Sequence, residues 1–589
     1  MTDRRRPDTG KAHSVGRRVA MTALAAAGLL LTGGCGGERA ADTASDDAFC
    51  RDVQARVETF MEEAGREHPV PDDDRYGGTA VIGTIGELVD GMNGLVSADY
   101  AATQNQQFVN LMTLIQYNEA LEPAPYLAES WEVNDSTTAI TFHVRRDVFW
   151  HDGEPTTARD VEFTYLRATD PRTGFPNPAF WDHYVKGPEG VEVLDDYTVR
   201  VRLTPHAEFM DPWRTLSILP VHLLGEVAPE ELKLHPYGSR CPVGNGPFVF
   251  VEHRPTDRWV FRANPAFPEG LGGRPFLDRY VYRIIPEQTT LLTELLTGAV
   301  DVFVTPRPDQ AQRIIDAPNL ELRRFPFRTY VFVAWNSRRP QLADARVRRA
   351  ITMATDRRGI VDAILQGYGR VANSSVPPFH WAYDPSMGEV LPFDPDSASA
   401  LLAAAGWTDG DGDGVRENAE GVPLAFTIKY NQGNRQRQDI AEIMQAQLRD
   451  VGIEATPQVV EWETLVSQIT DAEKRDFDGL VMAWVTEFKL DDTDLFHSKR
   501  LDGLYAWSGT RNPVIDSLLD TLSLILDREE AKPLWARYQH VLAQEQPYTF
   551  FYYPDRLDGV NRRLQDVVMD ARGEWINIKD WWIAPAQRR

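Results

Sequence analysis

The segment PYLAESWEVNDSTTAITFHVRRDVFWHDGEPTTARDVEFTYLRATDP, Pro125 to Pro171, places His151, Asp152, Glu154 and Asp160 within ten positions, a density that invites a catalytic reading. Its periodicity points to structure instead. Ile140, Phe142 and Val144 alternate with Thr141, His143 and Arg145, the two-residue period of a half-buried strand. Thr157 is followed three places on by Asp160 and then by Val161, Phe163, Tyr165 and Leu166, which predicts a capped helix. Asp152-Gly153 marks a polar turn between the two. Acids in a turn and in a first helical turn are expected to be solvated or capping, so the segment reads as strand, turn and helix.

Outward from this segment, strands and helices interleave from Gly78 onward without an internal repeat, which favours an α/β architecture over a solenoid or sandwich. A chain of 589 residues exceeds one core and suggests roughly three to four domain-sized units. With 42% hydrophobic and 25% charged residues, it is neither disordered nor membrane-embedded as a whole. The net charge of -25 argues against nucleic acid as a partner and permits a cationic ligand. The sequence contains no Gly-x-Ser-x-Gly elbow, His-Glu-x-x-His pair, Walker loop or Cys-x-x-Cys pair, and its twelve histidines are scattered. A secreted hydrolase is the alternative of a different class, and nothing in the sequence supports it.

Residues 1–34 read as a signal peptide: Arg4, Arg5, Arg6, Lys11, Arg17 and Arg18 precede the uncharged stretch Val19 to Thr32, which is too short to span a bilayer. The Arg17-Arg18 pair leaves Sec and twin-arginine export both open. The junction LTGGC resembles the lipobox of bacterial lipoproteins, with Leu31 one place earlier than in the common pattern. That resemblance implies cleavage before Cys35 and lipid on its sulfur. Cys50 and Cys241 then remain as an even pair in an exported protein, and a bridge between them is favoured over two free thiols. It would staple a helix with Phe49, Val53, Val57 and Phe60 on one face, capped by Asp46-Asp47. Residues 36–46 are expected to form a flexible tether.

From about Gly77 to Ile583 the chain resembles the family 5 solute-binding proteins, the oligopeptide and dipeptide receptors of ABC importers. The resemblance rests on GGTAVIG with DGMNGLVSAD, the Pro125 to Pro171 segment, CPVGNGPFVFVEH, LLTELLTGAVDVFV, VAWNSRRPQLADARVRRAITMATDRRGIVDAILQGYG, NPVIDSLLDTL and PYTFFYYPDRLDGV, in family order. Each also has a local reading. The glycines around Asn245 suit backbone turns, and Asp344 caps a helix that buries Val347, Ile351 and Ala354 while Arg346, Arg348 and Arg349 face out. The resemblance implies a two-lobed periplasmic-binding-protein fold of type II, of the large peptide-receptor class. In outline, residues 35–76 form the tether and N-terminal helix, 77–305 lobe one with a subdomain at about 107–235, 306–552 lobe two, and 553–589 a return to lobe one. It also implies a monomeric receptor, lipid-anchored on the periplasmic or cell-surface side, that passes short peptides to the membrane subunits of an ABC permease. A receptor for a nickel chelate, sugar or opine is the alternative within the fold.

LVMAWVTEFKLDDTDLF resembles the family's pocket segment, in which an Asp three residues after a Trp holds a peptide's α-amino group. Here Trp484 matches, Glu487 stands in the acid position, and Asp491-Asp492 replaces a common Asp-Pro. The resemblance thus puts Trp484, Glu487, Asp491, Asn245 and Asn93 at the ligand. Core packing beside Val481 and Met482 is an equal alternative for Trp484. No cofactor is expected, with one open question. In DGDGDGVRENAE, the residues Asp409, Asp411, Asp413, Val415, Glu417 and Glu420 fall at calcium-loop positions 1, 3, 5, 7, 9 and 12. The loop lies between a helix and a strand, so a metal-free acidic turn is the competing expectation.

Overall fold

The strand Tyr548–Asn561 lets two lobes share one sheet. In the computed structural model, which describes residues 35–589 except Ala98 and Asn177, Tyr548 to Tyr552 pair antiparallel with Thr329–Trp335. Residues 555–561 of the same strand pair with Leu320–Pro326, and its end also pairs with Val302–Val304. On the first-lobe side the order continues through Thr79–Thr84, Arg279–Ile284, Arg258–Ala263 and Phe248–Arg254. On the second-lobe side it runs through Thr329–Trp335, Gly479–Val485, Ala425–Asn431 and Glu454–Val460. The chain therefore crosses between lobes at residues 326–329 and again within Tyr548–Asn561.

The first lobe extends further than the sequence suggested. Residues 306–326 stay with it: Ile314 and Leu320 are buried with Leu291, Leu295 and Phe303, and Leu320–Pro326 pairs along the first-lobe half of the shared strand. The helix Pro308–Ile315 is amphipathic, and the first-lobe sheet offers the surface that buries its apolar side. In the second lobe, alternation sorts residues onto two faces. Val331, Val333 and Trp335 join a core with Ile351, Leu402 and Met444, whereas Tyr330, Phe332 and Ala334 join another with Leu465, Trp535 and Tyr548. A separate four-stranded sheet, in the order Ala128–Val133, Ala139–Val144, Thr198–Arg202 and Val191–Asp195, carries the strand of the Pro125 to Pro171 segment.

That segment is strand, turn and helix; Glu154 is exposed and Asp160 caps the helix as expected, whereas His151 and Asp152 are buried rather than solvated. Thr157 and Asp160 form a reciprocal capping box on Ala158–Thr169, and Asp160 also accepts Val221 N–H at 2.9 Å. The Asp152 side chain is fully buried between Arg56 Nη1 and His222 Nε2, each at 3.0 Å. His151 is inaccessible. Gly244 N–H donates to its Nδ1 at 3.2 Å, so Nε2 carries the proton and donates to Gly246 O at 3.0 Å. Burial pushes its pKa down to about 4, which fits this neutral form. The glycines beside Asn245 serve close approach rather than turning: a Cβ on Gly244 would lie 1.7 Å from Asn110 O.

The N-terminal helix runs over Cys35–Glu67, so Asp46 and Asp47 lie inside it rather than capping it, and residues 36–46 are helical rather than a tether. Alanines and charged residues in this stretch carry enough helix propensity to continue upstream of the expected start. Cys50, Val53, Val57, Met61 and Ala64 are its buried side chains among those described, whereas Phe60 is half-buried over Gly153. A disulfide joins Cys50 to Cys241, with Cα atoms 5.4 Å apart. The leader and the side chains of the LTGGC junction lie outside the described residues. No helix among the described residues is long and apolar enough to cross a membrane. Arg348 also departs from expectation: it is buried, and its guanidinium donates to the carbonyls of Leu342, Ala343, Glu545 and Gln546 and to the Glu545 carboxylate. Tying a loop to a helix C-terminus satisfies orphan carbonyls that a helical period cannot reveal.

Candidate interlobe binding cleft

The strand Gly479–Val485 ends where the two lobes face each other, and residues 486–492 line the gap before the short helix Thr493–Phe496. Two cavities of 450 Å³ adjoin here, sharing Phe180, Val485, Glu487 and Lys489. The first is walled mainly by the second lobe: Tyr330, Ser375, Trp484, Tyr505 and the acids Asp491, Asp492 and Asp494. The other faces the first lobe and presents Tyr100, Gln104, Gln107, Arg214 and Arg328. Contacts that span the gap show the lobes closed on each other. Leu490 N–H donates to Glu208 at 3.2 Å, Lys489 Nζ donates to Tyr184 OH at 3.1 Å, and His206 Nε2 lies 3.3 Å from Asp491.

Glu487 lines both cavities, yet its charge is already answered. Its Oε2 accepts from Arg214 Nη2 at 3.0 Å and Arg328 Nη1 at 3.3 Å. Arg214 lies in the first lobe and Arg328 in the crossing between lobes. Burial pushes the Glu487 carboxyl up, but the guanidinium groups of Arg328 and Arg214 more than offset this and hold it below its usual range. Phe488 lies under both guanidinium carbons, at 4.7 Å from Arg214 and 4.8 Å from Arg328, and fixes them by cation–π contact. Asp211, also bound to Arg214 at 3.3 Å, completes a group of two acids and two arginines without net charge. A carboxylate so engaged offers a ligand's α-ammonium less free charge than an unpaired one, although the side chain stays 42% exposed toward both cavities.

The other expected site residues divide. Trp484 lines the second-lobe cavity, its ring stacked on Trp507 at 4.7 Å and 14° and edge-on to Tyr505. Asp491 lines it too. Burial raises its carboxyl, but the hydrogen bond and charge of His206 pull it well below the ordinary range. Asn93 and Asn245 line neither cavity. Asn93 is buried, donates to Leu232 O at 3.0 Å and accepts from Leu95 N–H at 3.2 Å, while Asn245 donates to Thr156 at 3.4 Å. Both hold first-lobe loops. In the acidic turn, one carboxylate oxygen from each of Asp409, Asp411, Asp413 and Glu417 lies within 4.8 Å of the others, and Glu420 is outside this group because the chain turns at Asn418. These carboxylates accept backbone N–H groups of the turn itself, such as Gly412 to Asp409 at 2.7 Å and Val415 to Asp413 at 2.8 Å. Sequence reasoning missed Lys489, within the pocket segment itself, and Arg214, Arg328, Tyr330, Ser375 and Tyr505, which come from other segments and carry no shared local pattern.

Two lobes joined by two crossings, with cavities of ligand size between them, define a binding protein of the two-lobed class. The family model for bacterial extracellular solute-binding proteins, family 5 (middle region), matches residues 122–501. The oligopeptide-binding protein AppA of Bacillus subtilis is 32% identical over 525 residues, 87% of this chain and 92% of that one. Heme-binding protein A of Haemophilus influenzae is 27% identical over 76% of this chain and 82% of that one. The structure of Bacillus subtilis AppA in complex with a nonapeptide superposes with a TM-score of 0.70 at 31% identity, covering 87% of this chain and 99% of that chain. The chain belongs to family 5 of the bacterial extracellular solute-binding proteins. It is a binding protein, not an enzyme.

Proposed function

We propose that the protein captures short peptides outside the cytoplasm by closing its lobes around them, and delivers them to an ABC permease while held to the membrane by lipid on Cys35. The observation that carries this reading is the cleft itself, which takes its walls from both lobes and is spanned by Arg214–Glu487, His206–Asp491 and Glu208–Leu490 contacts. A ligand that touches both walls stabilises the closed state by its differential contacts, so affinity and closure are one free energy. Likeness to an oligopeptide-binding protein over most of both chains supports a peptide as that ligand. Mass spectrometry of small molecules carried through mild purification tests it, with calorimetry on the peptides found. Recovery of a nickel chelate, sugar or opine in place of peptides would overturn the peptide reading, and membrane retention of Cys35→Ser would overturn the anchor.

A further inference from the structure

The second-lobe cavity contains an acid that no cation answers. Four carboxylates line it: Glu487 faces Arg214 and Arg328, Asp491 faces His206, and Asp494 faces Arg500 at 3.2 Å. Asp492 has only hydroxyl partners. Its Oδ2 accepts from Ser375 and, at 2.6 Å, from Tyr538, and no basic side chain among the described residues pairs with it. Burial pushes this carboxyl up to about 6, against the pull of those two hydroxyls, so it stands at the edge of ionisation.

An independent feature points to the same spot. Tyr330 lines the cavity and is 1% exposed, yet its hydroxyl has no hydrogen-bond partner, and the charge of Asp492 reaches it. Buried polar groups are ordinarily paired, and an unpartnered hydroxyl beside a carboxylate that lacks a counter-charge, both facing one cavity, mark where a ligand's polar group belongs. The walls beside them are the rings of Trp484 and Tyr505, whose faces attract cations. The basic groups that share the cavity are committed elsewhere: Lys489 to Tyr184 and the Phe180 face, Arg500 to Asp494, and His183 beside Asp494 at 3.8 Å.

From this geometry we infer that Asp492 receives a cationic group of the ligand, an ammonium or guanidinium, with the Tyr330 hydroxyl accepting a second hydrogen bond and the Trp484 and Tyr505 rings beside the charge. The inference rests on the peptide reading of the cleft for the source of that cation, which is either the α-ammonium or a basic side chain. It relocates the charge anchor from Glu487, which the arginines already neutralise.

The test is calorimetry on the mature protein with tetra-alanine, with lysine or uncharged norleucine placed at each position in turn, and with every peptide free and N-acetylated. If a side chain supplies the cation, one lysine peptide binds between about tenfold and a hundredfold more tightly than its norleucine partner whether acetylated or not. If the α-ammonium supplies it, acetylation causes a loss of that size instead. Either preference disappears in Asp492→Asn, which keeps both hydroxyl partners and removes the charge. Equal affinities across the parent set, a comparison that needs no variant, would overturn the inference, as would a preference that survives in Asp492→Asn. If no peptide binds, the peptide reading falls, and agmatine and cadaverine decide the rest. Binding of either that is lost in Asp492→Asn upholds the anchor for a non-peptide cation, and no binding overturns it.

Discussion

Residues 148–165 and residues 484–496 are both acidic and aromatic, and their similar compositions do opposite work. In the first stretch every charged group that turns inward is matched by the protein itself: Asp152 by Arg56 and His222, Asp160 by its own helix and Val221, His151 by the Gly244–Gly246 backbone. In the second, Glu487 and Asp491 take counter-charges from Arg214 and His206 across the gap between lobes and from Arg328 in the crossing, and Asp492 meets no cation at all. Acidic density alone does not mark a site. A carboxylate that the protein leaves without a counter-charge, in a cavity of ligand size, does.

Four substitutions and one titration sharpen or break this contrast. The largest effect belongs to Gly244→Ala, because the new Cβ would meet backbone rather than a movable side chain. A loss of about 4 kcal/mol or more is expected, read as failure to fold or a steep drop in melting temperature. A parent-like melt would show that the loop has room. Next, Asp152→Ala strands a half-exposed Arg56 beside a buried site and should cost about 3 kcal/mol in stability. Its ligand affinity at 20 °C should match the parent, and an affinity loss without a stability loss would put the first segment at the ligand after all.

Glu487→Gln is expected to reverse that pattern. Removing the acid that joins Arg214 to Arg328 weakens the closed state, so affinity should fall about tenfold, equally for free and N-acetylated peptides, with little change in the melt. A loss confined to free peptides would return the α-ammonium to Glu487. The pH response is smaller. A cationic ligand needs Asp492 ionised, and its carboxyl titrates near 6 in the folded protein, so affinity for a lysine peptide should be full above pH 7 and decline as pH falls through 6. His183, His206, Lys489 and the carboxylates Glu487, Asp491 and Asp494 face the same space, so the Asp492 contribution is the difference between parent and Asp492→Asn profiles. Identical profiles would refute it. The smallest effect is expected for Asp411→Ala in the exposed acidic turn, under about 0.5 kcal/mol. Calcium binding in calorimetry that this variant abolishes would make the turn a metal site.

Much of the fold was legible in local pattern. Two-residue alternation marked the strand Ala139–Val144, and the Thr157 to Asp160 spacing marked the start of the next helix. Each is decided within a few neighbours, and seven segments in family order carried the architecture as a whole. The lobe boundary was less legible, because the helix Pro308–Ile315 shows an apolar face without showing which lobe covers it. Arg348 illustrates the same limit at the scale of one residue: helical period assigned it to solvent, whereas carbonyls almost two hundred positions away hold it inside.

The sequence by itself determined an α/β receptor of two lobes, and it pointed to Trp484 and the acids that follow as the place to look. Only the tertiary structure decided what those acids do. Glu487 is neutralised by arginines from residues 214 and 328, and Asp492 is held by hydroxyls from residues 375 and 538. The reason is physical: secondary structure follows interactions a few residues apart, whereas the free charge of a carboxylate depends on every ionisable group within a few ångströms, and those arrive from anywhere along the chain.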